Sequence, residues 1–174
     1  MDKTDEKLLI QRAKEGDREA LSTLWDSITP KLFGYLVNTT RDRFLAEDIL
    51  QSTWIKAIEA LPNFVPRNAG FSSWIFTIAH NECRQYWRKT NREIPFDPER
   101  HDQPDTNAES PDAKILIDQA LNILSDDDRE LIRLRYIADL PLNSIAEILN
   151  LNFVTVRVRI HRALAKMRAT LSTQ

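Results

Sequence analysis

Residues 140–171 read LPLNSIAEILNLNFVTVRVRIHRALAKMRATL, and this segment is the strongest indication of how the last third of the chain folds. Its apolar residues repeat with the period of a helix up to Leu149, stop between Asn150 and Asn152, and then resume with the same period. Two helices joined by so short a turn are typical of a helix-turn-helix unit. We therefore expect Asn150 to leave the first helix in the left-handed conformation and Asn152 to cap the second helix.

The second helix of this unit is basic on the side away from its apolar stripe. Between Thr155 and Gln174 the chain carries five Lys and Arg residues and no Asp or Glu. A basic helix that follows a tight turn suits entry into the major groove of DNA. An ordinary core helix with a solvated basic face gives the same local pattern, so this stretch alone leaves both interpretations open.

Composition indicates a helical protein without a membrane-embedded part. The chain has 174 residues, 42% of them apolar, and only 3 glycines, so a packed and mostly helical core is expected. Its first residues, MDKTDEKLL, lack the apolar centre of a signal peptide, and no stretch approaches the ~18 apolar residues of a membrane span. The lone Cys83 excludes an internal disulfide and fits a reducing compartment. We expect an all-α, cytoplasmic protein with no membrane insertion.

Charge divides the chain into two helical parts and a linker. Residues 95–113 carry 1 basic and 6 acidic residues and four of the 8 prolines, so they cannot bury a core. The residues before them carry 14 basic and 13 acidic residues, and those after them carry 9 and 7. The overall charge of -2 therefore hides basic surfaces on either side. We predict two small helical domains, over residues 8–94 and 114–174, joined by an acidic, flexible linker over residues 95–113.

Capping residues predict where helices begin in the N-terminal domain. Asp17 follows a glycine and is expected to cap one helix, and Asp42 is expected to cap a long helix that reaches Leu61. Ser72 or Ser73 is expected to begin a further helix that runs to about residue 89.

Two groups of residues could bind a metal ion, but each has a simpler explanation. The acidic run Asp126–Asp128 follows Ser125 in the register of a Ser-x-x-Asp capping box, which favours a helix start over a metal site. His80 and Cys83 stand three residues apart on one helix, yet no second ligand pair lies nearby in sequence. Cys83 is better explained as a small buried residue. We predict no metal site and no cofactor.

A helix face around Glu47 is the first of two further candidate sites. Asp48 and Gln51 lie on neighbouring turns of the same helix, close to Trp54. Acidic side chains beside an aromatic ring could dock a basic helical partner. Periodicity by itself, however, favours a solvated helix face.

The second candidate site interleaves aromatic and basic residues between positions 71 and 92. Aromatic faces stack on unpaired bases at roughly 1–3 kcal/mol per base, and cations follow the backbone, so the pattern suits single-stranded nucleic acid. Core packing explains part of the same stretch, which we assign to Ile78 and Ala79 and expect for Trp74. The aromatic and basic residues are Phe71, Trp74, Phe76, Tyr86, Trp87, Arg84, Arg88, Lys89 and Arg92.

Three separated segments together resemble one known family. They are DRFLAEDILQSTW at residues 42–54, FSSWIFTIAHNECRQYWRK at residues 71–89, and the helix-turn-helix at residues 140–171. In this order and spacing they are similar to bacterial RNA polymerase sigma factors of the sigma-70 family, in the small extracytoplasmic-function group. The resemblance covers the chain from about residue 8 to residue 171. It implies a region-two helical bundle, a linker, and a region-four helix-turn-helix domain.

The resemblance also implies the function and the residues that carry it. A sigma factor binds core RNA polymerase and directs promoter-specific transcription initiation. Polymerase binding is expected at Asp48, Gln51 and Trp54, although members of the family often have an acid where this chain has Ser52 and Phe where it has Trp54.

Two DNA-reading surfaces follow from the same resemblance. The N-terminal domain would recognise the minus-ten element and hold a base flipped from the non-template strand. The residues expected there are Asn63, Phe71, Ser72, Asn81, Arg84 and Arg88. The C-terminal helix-turn-helix would recognise the minus-thirty-five element, and the residues expected there are Thr155, Arg157, Arg159 and Arg162. Val154 and Val158 replace small residues of the family, and either could read a thymine methyl group or merely fill space.

The expected partners are core RNA polymerase, promoter DNA and an anti-sigma factor, which is a common regulator in this group. A conventional dimeric repressor or activator would explain the helix-turn-helix but not the two N-terminal sites. A helical adaptor without DNA contacts conflicts with the basic final helix. An enzyme is not expected, because the sequence has no phosphate-binding loop, no metal-ligand set and no nucleophile with an evident base.

Overall fold

A computed structural model describes residues 3–66, 70–93 and 119–171, and the elements within these ranges are helices, as the sequence predicted. The predicted linker, residues 95–113, lies outside the described ranges. None of the described helices is long and apolar enough to cross a bilayer. The helices are α1 (Lys3–Lys14), α2 (Arg18–Thr40), α3 (Arg43–Ala60), α4 (Gly70–Glu93), α5 (Asp126–Ile132), α6 (Leu142–Ile148) and α7 (Phe153–Leu171). A 3₁₀ turn, Leu61–Asn63, follows α3, and a π-helical turn, Arg133–Ile137, follows α5.

Two predicted caps begin the long N-terminal helices. The Asp17 carboxylate accepts hydrogen bonds from the amides of Glu19 and Ala20 at 2.9 and 3.1 Å. The Asp42 carboxylate accepts one from the amide of Leu45 at 3.1 Å. Each cap satisfies amides that have no partner inside the helix, and together they set where α2 and α3 begin.

The start of α4 differs from the prediction. We expected Ser72 or Ser73 to begin this helix, but it begins at Gly70, which has a φ angle of 79°. The amide of Phe71 donates a hydrogen bond to the Glu6 carboxylate at 2.9 Å. A carboxylate of α1 therefore caps an amide in the first turn of α4 through a tertiary contact.

Large apolar side chains from α2, α3 and α4 form the core of the N-terminal domain. Trp54 of α3 stacks on Trp25 of α2 with ring centroids 4.5 Å apart. Tyr35 of α2 meets Phe76 of α4 edge to face at 5.5 Å. The most deeply buried residues of this core include Leu24, Leu32, Leu36, Trp54, Phe71 and Ile75.

The acidic run at Asp126–Asp128 begins α5. The Ser125 hydroxyl accepts a hydrogen bond from the amide of Asp128 at 3.3 Å, so the predicted capping role is confirmed. The Arg129 guanidinium then donates hydrogen bonds to the carbonyl oxygens of Leu121 and Leu124 at 3.2 and 3.1 Å. These bonds satisfy carbonyl groups at the end of the helical residues that precede α5. Within the described ranges, no group of three or more His, Cys, Asp and Glu residues could hold a metal ion.

The turn between α6 and α7 has the predicted geometry. Asn150 adopts a left-handed conformation with a φ angle of 51°. The amide of Leu151 donates to the Ala146 carbonyl at 2.8 Å, which is the long hydrogen bond of a Schellman motif. The Asn152 side chain then accepts from the amide of Val154 at 2.8 Å and begins α7. The chain thus reverses within a few residues, and α7 packs on α5 and α6.

Candidate polymerase-binding and DNA-binding surfaces

An exposed stripe on α3 carries two of the three residues predicted to bind polymerase. Asp48 and Gln51 are both exposed. Phe44, Ile55 and Ile58 lie on the same stripe, since positions 44, 48, 51, 55 and 58 follow the helical repeat. The Phe44 side chain is 80% exposed, and Ile55 and Ile58 are exposed as well. We call these five residues the α3 stripe.

Sequence reasoning missed the apolar part of the α3 stripe. Phe44, Ile55 and Ile58 were not assigned to any site, because apolar residues on a helix are ordinarily attributed to the core. Their spacing from Asp48 and Gln51 was the available signal, since it sets them on the face opposite buried Ala46 and Ala57.

The structure places Trp54 in the core, which contradicts its assignment to a partner-binding surface. Its side chain is 1% exposed and stacks on Trp25. The ring therefore cannot contact a partner directly. It supports α3 from beneath, while the α3 stripe faces outward.

The outer face of α4 brings together three residues predicted to contact the minus-ten element. Asn81, Arg84 and Arg88 are exposed and follow one another at helical spacing. On the neighbouring side of α4, Glu82 accepts hydrogen bonds from Ser52 at 2.7 Å and from Lys56 at 2.5 Å. These bonds hold α4 against α3 and so fix the direction in which Asn81, Arg84 and Arg88 project.

The other residues predicted to contact the minus-ten element precede this face in the sequence, and they differ in exposure. Asn63 is exposed and Ser72 is half-buried, but Phe71 is 1% exposed. Phe71 meets Phe64 and Trp74 with ring centroids 5.4 Å away from each. Since this aromatic cluster encloses its ring, Phe71 cannot stack on a base, and its assignment to DNA contact is wrong. Residues 67–69 of the same predicted loop lie outside the described ranges.

The basic face of α7 is exposed at three of its four predicted positions. Thr155, Arg157 and Arg162 all face solvent. Arg159 is different, because its guanidinium lies 2.8 Å from the Asp128 carboxylate and 3.5 Å from that of Asp127. Its side chain is only 28% exposed, so it ties α7 to α5 instead of extending into solvent. We therefore keep the first three residues in the candidate DNA surface and assign Arg159 to packing.

A buried ionic contact joins the two domains at Glu130 of α5. Its carboxylate accepts a short hydrogen bond from the Tyr35 hydroxyl and one from His80 Nδ1 at 3.1 Å. Arg133 lies 3.7 Å away on the next turn. Burial acts to raise the pKa of Glu130, but the hydrogen bonds from His80 and Tyr35 outweigh it, so the pKa is lowered. Glu130 is thus ionised at neutral pH and holds donors from two helices of the other domain.

His80 and Cys83 face this contact and do not form an exposed ligand pair. Burial, reinforced by the negative charge of Glu130, raises the pKa of the Cys83 thiol to about 12. The thiol therefore stays protonated at neutral pH and packs as an apolar group, as the sequence predicted. His80 Nδ1 is occupied by Glu130.

The domains leave a cleft of about 1110 Å³ between them, and the residues of this contact form part of its lining. Arg84 and Trp87 line it from α4, and Asp126 and Arg159 line it from the C-terminal domain. A second ion pair between the domains joins Lys31 to Asp139 at 2.8 Å. Both of these side chains are exposed, so their pairing contributes little to stability.

Comparison with known proteins gives the same order of domains. The chain matches the family Sigma-70 region 2 over residues 24–93 and the family Sigma-70, region 4 over residues 114–167. It is 30% identical to the ECF RNA polymerase sigma factor SigW of Bacillus subtilis, over 93% of this chain and 94% of SigW. It is 31% identical to the RNA polymerase sigma-H factor of Pseudomonas aeruginosa, over 89% of this chain and 88% of that protein.

Solved structures with the same fold include two complexes. One is the sigma factor RpoE of Bartonella quintana bound to the anti-sigma factor NepR, with a TM-score of 0.72 and 26% identity over 87% of this chain and 96% of that one. The other is CnrH bound to the cytosolic domain of CnrY, with a TM-score of 0.73 and 24% identity over 98% of this chain and 99% of that one. The chain belongs to the sigma-70 family and is a sigma factor of the extracytoplasmic-function group, which makes it a transcription initiation factor.

Proposed function

We propose that this sigma factor directs core RNA polymerase to promoters by reading the minus-ten element with its N-terminal domain and the minus-thirty-five element with its C-terminal domain. One observation carries the proposal: each domain presents an exposed polar or basic helix face built on a rigid support. On α4 this face is Asn81, Arg84 and Arg88, and on α7 it is Thr155, Arg157 and Arg162.

The two faces suit different forms of DNA. The α7 face follows the tight turn of a helix-turn-helix, whose second helix enters the major groove of duplex DNA. The α4 face lies beside exposed Tyr86 and half-buried Trp87, and aromatic rings among cations suit unpaired bases. This difference supports duplex recognition by the C-terminal domain and strand opening near the N-terminal domain.

The side chains of the α3 stripe suit a partner that is itself helical and basic. Asp48 and Gln51 provide a carboxylate and an amide, and Phe44, Ile55 and Ile58 provide apolar contacts on both sides of them. An amphipathic helix laid along this stripe would bury its apolar residues and pair its cations with Asp48. We assign this surface to core RNA polymerase.

Simultaneous reading of both elements requires the domains to separate. The elements lie about 25 base pairs apart, or about 85 Å at ~3.4 Å per base pair. A folded chain of this length is only about 40 Å across, and α2 and α4 contact the C-terminal domain directly. We propose that polymerase holds the domains apart, and that tethering both to one enzyme raises the effective concentration of the second reader.

An anti-sigma factor is the third proposed partner. It is supported by the similar sigma factor RpoE, which was solved in complex with the anti-sigma factor NepR. A protein that covers the α3 stripe or the faces of α4 and α7 would block polymerase binding or promoter reading.

Run-off transcription with purified core polymerase and a library of promoter sequences tests the proposal. We expect transcripts only when both proteins are present, and we expect the selected templates to share two separated elements. Gel shifts with and without core polymerase should show weak duplex binding by the sigma factor alone. Strong, specific duplex binding without polymerase, together with no initiation, would instead indicate a conventional repressor or activator.

A further inference from the structure

Two valines form the outermost ridge of α7. An α-helix turns by about 100° per residue, so residue positions on α7 can be compared with its core side. Val156, Ile160 and Ala163 mark that core side, because all three are buried. Val154 and Val158 lie one turn apart and within about 30° of the direction opposite to it. They are 63% and 39% exposed, respectively.

Polar and basic residues flank this ridge on both sides. Arg157 and His161 lie on one flank, and Thr155 and Arg162 lie on the other, and all four are exposed. When such a helix enters the major groove, its outermost ridge reaches the base edges and its flanks face the phosphate backbones. The two valines therefore occupy the positions closest to the bases.

Neither valine makes a core contact that would stabilise the folded domain. Within the described ranges, both are absent from the apolar residues that pack against the core. Hydrogen bonds to Asn152 fix the backbone at the start of α7. The Asn152 side chain accepts one from the amide of Val154 at 2.8 Å, and the Asn152 carbonyl accepts one from the amide of Val156 at 3.0 Å. A valine in a helix also has one strongly preferred rotamer, so little freedom is lost on binding.

The major groove offers one methyl group to an apolar side chain, the C5-methyl of thymine. We propose that Val154 and Val158 determine part of the minus-thirty-five specificity by packing against thymine methyl groups. This inference rests on the proposed function and deepens it. It assigns recognition of thymine to the apolar ridge, and it assigns contacts with phosphates and with guanine to the flanking Arg157 and Arg162.

The test removes the same methyl group from the DNA and from the protein. The minus-thirty-five element selected by run-off transcription is resynthesised with deoxyuridine in place of each thymidine, one position and one strand at a time. For the wild-type holoenzyme we expect one or two positions at which this replacement lowers promoter binding about three- to fivefold, as loss of one buried methyl contact would. V154A and V158A should each abolish the difference between thymidine and deoxyuridine at one of those positions.

Controls separate this inference from the proposed function. V154T and V158T keep the branched shape of the side chain and should reduce the difference between thymidine and deoxyuridine only in part. L8A truncates an exposed apolar residue on α1 and should leave this difference unchanged. If the holoenzyme initiates transcription but deoxyuridine has no effect at any position, the inference is wrong. It is also wrong if the valine variants keep the full wild-type difference. Failure of initiation itself would count against the proposed function.

Discussion

Which face of a helix a side chain occupies determines its role in this protein, and Trp54 and Asp48 of α3 illustrate this. Both lie in a segment that resembles the polymerase-binding segment of sigma factors. Asp48 is exposed, whereas Trp54 is enclosed and its indole nitrogen has no hydrogen-bond partner among the described residues. Trp54 therefore contributes apolar area and ring stacking to the core, and no polar interaction.

Truncating Trp54 should strongly destabilise the N-terminal domain. We expect Trp54→Ala to lower the free energy of unfolding by about 3–5 kcal/mol, because it opens a large cavity beneath α3. Trp54→Phe keeps an aromatic ring against Trp25 and removes an unsatisfied donor, so it should cost less than about 1.5 kcal/mol. Urea unfolding followed by circular dichroism measures both. Equal losses for the two variants would contradict a packing role.

Truncating a residue of the α3 stripe should weaken polymerase binding but leave the stability of the domain almost unchanged. Phe44→Ser removes a side chain that is 80% exposed, so we expect the free energy of unfolding to change by less than about 0.5 kcal/mol. Affinity for core polymerase, measured by fluorescence anisotropy, should fall about fivefold or more, because loss of a contact worth more than ~1 kcal/mol has that effect. Leu8→Ser, also exposed but on α1, is the matched control and should bind normally. Wild-type affinity for the Phe44 variant would exclude Phe44 from the interface.

At the scale of whole helices, local signals predicted the starts that depend on local residues. Asp17, Asp42, Ser125 and Asn152 each cap a helix within three residues of themselves, and a sequence shows such pairs directly. The start of α4 could not be found in this way, because its cap comes from Glu6 on α1.

The candidate sites followed the same division between local and tertiary information. The resemblance to sigma factors assigned Asn81, Arg84 and Arg88 to one surface, and all three are exposed on α4. It could not show that Phe71 is enclosed by other aromatic rings or that Arg159 pairs with α5, since both depend on residues distant in sequence.

The Glu6 cap makes a prediction about α4 as a helix. We expect Glu6→Ala to lower the free energy of unfolding by about 1 kcal/mol, as loss of a capping side chain does. Amide hydrogen exchange should quicken in the first turn of α4, around Phe71, and remain slow near Ala79 in its buried middle. Glu15→Ala, which removes an exposed acid from the same part of the molecule, should leave the exchange of α4 unchanged. Uniformly faster exchange along α4 would mean that Glu6 does not act as a cap.

At the scale of the whole molecule, Glu130 links the packing of the two domains to pH. Its pKa in the folded protein lies below the usual value of 4.5. The stability it contributes is therefore fully present above the unfolded pKa and is lost as the pH falls through the folded pKa. Glu130→Gln keeps the shape of the side chain but removes the charge that Tyr35 and His80 surround.

We expect the wild-type protein to be more stable than Glu130→Gln at pH 7, and this difference should shrink below about pH 4.5. The midpoints of urea unfolding for both proteins, measured from pH 7 to pH 3, give the difference directly. Other carboxylates with lowered pKa values, such as Asp17 and Glu82, are present in both proteins and cancel. A difference that stays constant over this range would show that ionised Glu130 does not stabilise the domain contact.

We propose above all that the two domains of this sigma factor read separate promoter elements, and run-off transcription on matched templates is the most direct test of this. Core polymerase is combined with wild type, Arg84→Ala or Arg162→Ala on a selected promoter and on versions altered in one element. We expect Arg84→Ala to become less sensitive than wild type to the minus-ten change alone, and Arg162→Ala to become less sensitive than wild type to the minus-thirty-five change alone. Equal sensitivity of both variants to both changes, or no initiation by the wild-type protein, would contradict separate reading by the two domains.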